Sequence, residues 1–275
     1  MNRKRKTTLL ITEIALWLGT LVVFIPYLLV VLTSLKNSRE AGLFNLKLPE
    51  KFLLIENYKV VFERGYVFQG FMNSIFITGL SLVIVLICSA SASFYIARMN
   101  TKLSTFLYNF IIIGMMAPIT LVTTFKLLKD FHLLNTKLGV VFIFASTLIP
   151  FASFILVGFV RTIPRELDEA ATIDGCGPYR LFTVVIAPLL KPIAFTAGIL
   201  VFMAVWNDSQ VVLFFLNDNK NWTMPLNIYR FFGYYRTDWN YIFGNVVLTT
   251  LPVLIFYLFG QRYVIEGMIS GSVKG

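Results

Sequence analysis

Long uninterrupted apolar runs dominate the chain, at about residues 9–35, 71–97, 103–125, 138–160, 193–216 and 243–265. Each is long enough to cross a bilayer as a helix, which takes roughly 20 residues. The runs are continuous rather than alternating, which excludes a transmembrane β-barrel. Pro26, Pro118, Pro150 and Pro252 fall inside or at the ends of these runs. Prolines are tolerated in membrane helices because neighbouring helices and hydroxyl side chains re-satisfy the freed backbone groups. The pattern predicts an all-α integral membrane chain. It has six transmembrane helices in one domain over 1–275, with a polar segment, 161–192, before the fifth span.

Composition agrees. The 275 residues are 57% hydrophobic and 14% charged, against roughly 25% charge in a soluble domain. A soluble globule, a disordered chain and a nucleic-acid binder are excluded. The net charge of +10 would suggest DNA in a soluble protein; in a polytopic one it reflects basic loops held in the cytoplasm. Cys88 lies in an apolar run and Cys176 in a polar loop, at different depths, so they do not read as a disulfide. Arg3, Lys4, Arg5 and Lys6 imitate the start of a signal peptide. The apolar run behind them exceeds the roughly 7–15 residues of such a peptide and reads as a retained first span.

Lys and Arg divide evenly between the two sets of loops, so their total does not orient the chain. The four basic residues abutting the first span do, because the first helix usually dominates. Both termini are expected in the cytosol. The long segments are then 36–70 and 217–242 outside and 161–192 inside.

The chain has one histidine, His132, in a short outer connection, so no metal site or histidine catalysis is expected in the membrane. No G-x-x-x-x-G-K-[ST] loop is present, so the chain does not hydrolyse nucleotide by that route. No charge lies near the middle of spans two, three, four or six, where proton-coupled carriers keep their relays. Glu13 lies one turn inside the first span, placed to snorkel to the interface. The expectation is a membrane chain with no engine of its own: no catalytic residue, no metal and no cofactor.

The inner segment reads RTIPRELDEAATIDGCGPYRLFTVVIAPLLKP. Thr162 is placed to cap a helix, with Pro164 in its first turn. Glu166, Asp168 and Glu169 set negative charge at the positive end of its dipole. Leu167, Ala170, Ala171 and Asp174 follow at helical spacing, and Gly175 ends it. This predicts a helix of about ten residues, ~15 Å long, with the Ala-Ala pair on its surface. Pro178 then opens a second helix carrying Phe182 and Val185 towards Pro188. An interfacial helix lying on headgroups is the competing reading, disfavoured by the lack of a large apolar stripe.

Glu169-Ala170-Ala171, three residues, Gly175, nine residues, then Val185-Ile186-Ala187-Pro188 resembles the E-A-A-x3-G-x9-I-x-L-P signature of ABC importer permeases. Val185 for Ile and Ala187 for Leu are the departures. Ser34-Leu35-Lys36, Glu56-Asn57-Tyr58, Asn73-Ser74, Trp206-Asn207-Asp208, Thr237-Asp238-Trp239, Leu251-Pro252 and the ending Gly271–Gly275 resemble the maltose-type carbohydrate branch, specifically its smaller, six-span permease.

The resemblance implies an ABC type I importer permease fold in a bacterial cytoplasmic membrane. It implies a di- or oligosaccharide cargo, a second non-identical permease, two ATPase subunits that bind ATP and Mg, and an extracellular or periplasmic sugar-binding protein. Glu166, Glu169, Ala170, Ala171, Asp174, Gly175 and Pro188 would couple to the ATPase. Asn207, Asp208, Gln210, Asn245 and Thr249 are candidates for the substrate pathway, although interhelical hydrogen bonding accounts for them equally. Trp222, Tyr229, Tyr234, Tyr235 and Trp239 are candidates for outer contact with sugar or binding protein, against the ordinary aromatic belt. An ion-coupled carrier and an ABC importer of a non-sugar solute are the alternatives.

Overall fold

The computed structural model describes residues 3–233 and 237–272, with side chains for 12–233 and 237–261. Its helices are α1 Arg3–Ser34, α2 Ser38–Ala41, α3 Leu54–Arg64, α4 Val67–Arg98, α5 Lys102–Met116, α6 Leu121–Asp130, α7 Lys137–Val160, α8 Glu166–Ile173, α9 Pro178–Arg180, α10 Ala187–Asn207, α11 Gln210–Phe215 and α12 Trp239–Ser272. One antiparallel bridge, Phe232 to Thr237, is the only β pairing among the described residues. Five helical stretches are long and apolar enough to cross a membrane: Thr12–Ser34, Val67–Arg98, Lys137–Val160, Pro178–Asn207 and Trp239–Gln261.

The expected third span, 103–125, is not one helix. It divides into α5 and α6, bent by 117° at Ala117–Thr120, so the count is six only if this pair is one span. Pro118 explains the break: a residue before proline is driven out of the α region, and Ala117 is extended at φ −77, ψ 117. The expected fifth span, 193–216, also stops short. The helix ends at Asn207, Asp208 takes an extended backbone, and α11 follows separately. The Asp208 carboxylate accepts the Val211 N–H at 2.8 Å, a local bond that competes with helix continuation.

The chain forms two compact units. The first comprises 1–68 and 227–251. Its outer segment is built on buried polar side chains that apolar patterning does not reveal. The Asn57 amide donates to the carbonyls of Ser34 and Lys36, each at 2.8 Å. The Asn240 amide in turn donates to Asn57 Oδ1 at 3.1 Å. Lys36, 1% exposed, donates to the carbonyl and side-chain oxygens of Asn45 at 2.7 and 2.9 Å. Ser38 donates to Asp238 at 3.0 Å. Buried polar groups persist where they find such partners, so Ser34-Leu35-Lys36 and Glu56-Asn57-Tyr58 include the staple of this unit.

The second unit comprises 69–226 and 252–275. Here α7 packs on α5 and α10. Val140, Val141, Phe144 and Ala145 from α7 join Ile77 and Val85 from α4, Val201 and Val205 from α10, and Phe215 and Leu216 in one apolar core. A second cluster, Leu156, Val160, Ile163, Ile186, Leu190 and Ile193, lies at the end of α7. At Gly260, an added Cβ would meet Ile199 Cδ1 at 2.6 Å, so α12 approaches α10 as closely as a glycine allows. The Asn73 amide donates to the carbonyls of Lys220 and Trp222, and Ser74 Oγ accepts the Met224 N–H at 2.9 Å. The Asn73-Ser74 pair thereby ties the segment after α11 to α4.

Candidate functional site

Between α7 and α10 the chain leaves the long helices, and local chemistry shapes what it does there. Thr162 does not cap the following helix: its hydroxyl donates back to the Phe159 carbonyl at 2.8 Å and closes α7 instead. The helix therefore starts at Glu166, behind Pro164, with Arg165 as an N-cap that makes no side-chain bond. Glu166, Asp168 and Glu169 fill the first turn and oppose the dipole's positive end in place of a cap. The C-terminus is a Schellman turn. The Cys176 N–H bonds to the Ala171 carbonyl at 2.9 Å and the Gly175 N–H to that of Thr172 at 3.0 Å. Gly175 takes φ +80, a conformation that glycine adopts without steric cost.

The helix has two unlike faces. Glu166, Glu169, Ala170 and Ile173 are exposed at i, i+3, i+4 and i+7, one side of a helix. Ala171 is 8% exposed, so only Ala170 of the expected surface pair is on the outside; Ala171 belongs to the face packed inward, where α8 meets the turn Leu181–Ile186. Asp168 points to Arg98 at the end of α4. The Arg98 Nε lies 2.7 Å from Asp168 Oδ2 as a close ion pair. Its Nη2 donates to Oδ1 at 3.2 Å and its Nη1 to the Ile163 carbonyl at 3.0 Å.

The expected second helix is not separate. Pro178–Asn207 is one apolar stretch, passing through α9, a π-helical turn at Leu181–Ile186 and α10. Pro188 stands two residues past the π turn; a proline ring crowds the carbonyl four residues back, and a widened turn accommodates it. Ile186 is fully buried in the cluster that includes Phe94 and Phe182, whose rings lie 5.3 Å apart. The segment from α8 to α10 is thus joined to α4 twice, by the Arg98 ion pair and by this apolar contact.

These features occur within a matched family. Residues 89–268 match the model of the binding-protein-dependent transport system inner membrane component. This chain belongs to that family. It is similar to the ABC transporter permease protein ORF2 of Caldicellulosiruptor sp. (strain Rt8B.4), 35% identical, with 95% of each chain covered. It is also similar to the melibiose/raffinose/stachyose import permease protein MelC of Bacillus subtilis, 33% identical, with 92% of each covered. A chain of a bacterial ABC transporter that imports the acidic polysaccharide alginate superposes with a TM-score of 0.82 at 18% identity. That alignment covers 96% of this chain and 98% of the other, and the likeness is one of fold. The described residues accordingly carry the helical fold of this permease family.

The other candidates divide between the two units. Asn207, Asp208 and Gln210 occupy the break between α10 and α11 in the second unit. Asn245, fully buried, and Thr249, half-buried, lie one turn apart on α12 in the first. Trp222 is half-buried against the second unit's core, its carbonyl held by Asn73. Tyr229 and Trp239 belong to the first unit, and Tyr234 and Tyr235 lie outside the described residues.

Trp239 joins an aromatic cluster. Its ring lies 4.8 Å from Phe44, 6.0 Å from Phe232 and 6.2 Å from Phe243, and Tyr229 lies 5.8 Å from Phe232. Phe44, Tyr229 and Phe232 are each exposed. Nearby, Arg230 stacks 4.6 Å over the Tyr66 ring; burial pulls its guanidinium below the ordinary value, and Tyr66 opposes that shift.

Sequence reasoning missed Arg98, Phe44, Ile173 and Tyr179. Arg98 figured only in the charge balance. Phe44 carried no signal because its partner is almost two hundred positions away. Ile173 continues the Glu166–Ala170 register and was legible. Tyr179 and Ile173 are more than 80% exposed.

Proposed function

We propose that this chain is a transmembrane subunit of an ATP-driven importer of a di- or oligosaccharide, with α8 as the helix that couples it to an ATPase. The observation that carries the reading is the two-faced α8. One side is fixed to α4 by Asp168 and Arg98, and the other presents Glu166, Glu169, Ala170 and Ile173 outward. A helix that is rigidly tied at its back and bare at its front transmits displacement instead of absorbing it. On this reading Glu166 and Glu169 make polar contacts with the ATPase and Ala170 lets the surfaces close in. Asp174 and Gly175 form the turn that aims the helix, and Pro188 accompanies the widened turn that joins it to α10. ATP and Mg reside on two ATPase subunits, and a second, non-identical permease completes the pathway.

Orientation follows from the same assignment: α8 lies in the cytosol, with both termini on that side. The sugar cargo is supported by the relative that imports melibiose, raffinose and stachyose. An aromatic cluster with Phe44, Tyr229 and Phe232 exposed around a half-buried Trp239 suits the C–H faces of sugars or a binding protein that delivers them. Asn207, Asp208 and Gln210 in the second unit, and separately Asn245 and Thr249 in the first, are the candidates for polar groups that a hydroxyl-rich cargo meets. Purification of the tagged chain in mild detergent tests the assembly. Recovery with an ATPase and a second permease is the expected result, and recovery alone or as a self-dimer overturns it. Gly175→Val and Glu169→Lys test the coupling helix: both are expected to abolish uptake with insertion intact, and normal uptake refutes the assignment.

A further inference from the structure

A second polar feature lies beside α8 without belonging to its exposed face. A pocket of about 360 Å3 opens between the end of α4, the start of α5 and the end of α7, lined by Asn100, Ser104, Thr105, Tyr108, Arg161 and Arg165. That volume falls in the range of small-molecule clefts, roughly 300–1,000 Å3. Arg161 is stacked 4.8 Å over the Tyr108 ring, which fixes a cation at the wall. Among the described residues no carboxylate pairs with Arg161 or Arg165; the one ion pair at this end uses Arg98 and Asp168. The Ser104 and Thr105 hydroxyls at the start of α5 already donate to backbone carbonyls, so the two guanidiniums are the donors the cleft offers. They select a compact oxyanion, and guanidinium favours phosphate by its forked donors.

We propose that this pocket binds the phosphate of an anionic phospholipid headgroup. The position argues for lipid as the source of the phosphate. The cleft lies where apolar helices end, and α5 carries an exposed apolar stripe away from it through Leu103, Phe106, Phe110 and Ile113. Phe106 and Phe110 stack 6.3 Å apart along that stripe, a surface for an acyl chain. Basic pockets between spans on one membrane face bind such headgroups. A headgroup held by Arg161 and Arg165 would grip the connection from α7 to α8, so lipid composition would tune how firmly α8 is seated.

The test reconstitutes the full chain in mixed phosphatidylcholine–phosphatidylglycerol nanodiscs and measures retained lipid by native mass spectrometry after release into detergent. Wild type is expected to retain phosphatidylglycerol over phosphatidylcholine. Arg161→Gln/Arg165→Gln is expected to lose about thirtyfold of that preference, the effect of two cations near a charged surface. Thr105→Trp, which fills the cleft without removing charge, is expected to lose it too. Arg180→Gln, an exposed cation in α9, beyond α8, is expected to keep it. Equal loss in Arg180→Gln would mean diffuse charge and would overturn the proposal. Displacement of the phosphatidylglycerol by inorganic phosphate at millimolar concentration would overturn the lipid as source. Unchanged lipid retention with reduced recovery of an ATPase would make the pocket a protein contact, and the proposal would fall.

Discussion

If α8 is held by Arg98, removing Asp168 should free it. The pair is nearly buried, with side-chain exposures of 7% for Arg98 and 18% for Asp168. Asp168→Ala strands a guanidinium that keeps only its bond to the Ile163 carbonyl. Breaking one partner of a buried pair costs roughly 3–5 kcal/mol. The solvent-exposed edge of Asp168 points to the lower end, about 3 kcal/mol. At about 1.4 kcal/mol per factor of ten, local opening of α8 should rise on the order of a hundredfold. Amide hydrogen exchange of Glu166–Ile173 reads this directly, with the core helix α7 as internal reference. The double variant Arg98→Met/Asp168→Leu should restore most of the protection, because replacing both charges by apolar groups removes the stranded cation. Unchanged exchange of α8 in Asp168→Ala refutes the brace. A double variant as damaged as the sum of the singles refutes its electrostatic origin.

Other sites yield further expectations. Gly260→Leu should destabilise the contact of α12 with α10 by about 1–3 kcal/mol through overpacking against Ile199 and Phe195, seen as a lower melting temperature in detergent. Asn57→Leu leaves the carbonyls of Ser34 and Lys36 unsatisfied, at about 1–3 kcal/mol for each group that stays buried; protease nicking of the segment after α1 should accelerate while α7 stays intact. Trp239→Ala removes the hub of the outer aromatic cluster and should raise the apparent KM for sugar uptake more than it lowers the maximal rate. An unchanged KM would assign the cluster to packing alone.

Most of the helical fold was legible because hydrophobicity dictates it. Spans at 138–160 and 71–97 were located to within four residues, since long apolar runs admit one structure in lipid. The failures came from single polar or imino residues overriding that pattern. Pro118 bent the third run, and the Asp208 carboxylate stopped the fifth; both lay in view, but composition averages over them. On α8 the sequence placed the acidic turn and Gly175, which are local signals. It could not place Ala171 inward, because that depends on what α8 packs against. The Arg98–Asp168 and Phe44–Trp239 contacts join distant positions, and no periodicity reports them.

The location of charge explains why such contacts matter for transport. Spans two, three, four and six carry no charge near their centres, so within this chain an ion gradient has no titrating group there to act on. In the proposed coupling, work enters instead at an end of the helices, through a part that moves as a body. The α8 segment meets that need: the ion pair and the apolar cluster fix it to α4, and the continuous stretch Pro178–Asn207 carries its displacement along α10. The π turn at Leu181–Ile186 sits between the two, where a widened helix can change its winding without losing its backbone bonds. In the proposed mechanism, a stiff connection with one adjustable turn would convert a push on α8 into a rotation of α10. Such a conversion would ask nothing of catalytic residues in the membrane, and it would make the integrity of Arg98–Asp168 a condition of coupling rather than of folding. On this proposal Asp168→Ala inserts normally and loses uptake, and normal uptake refutes it.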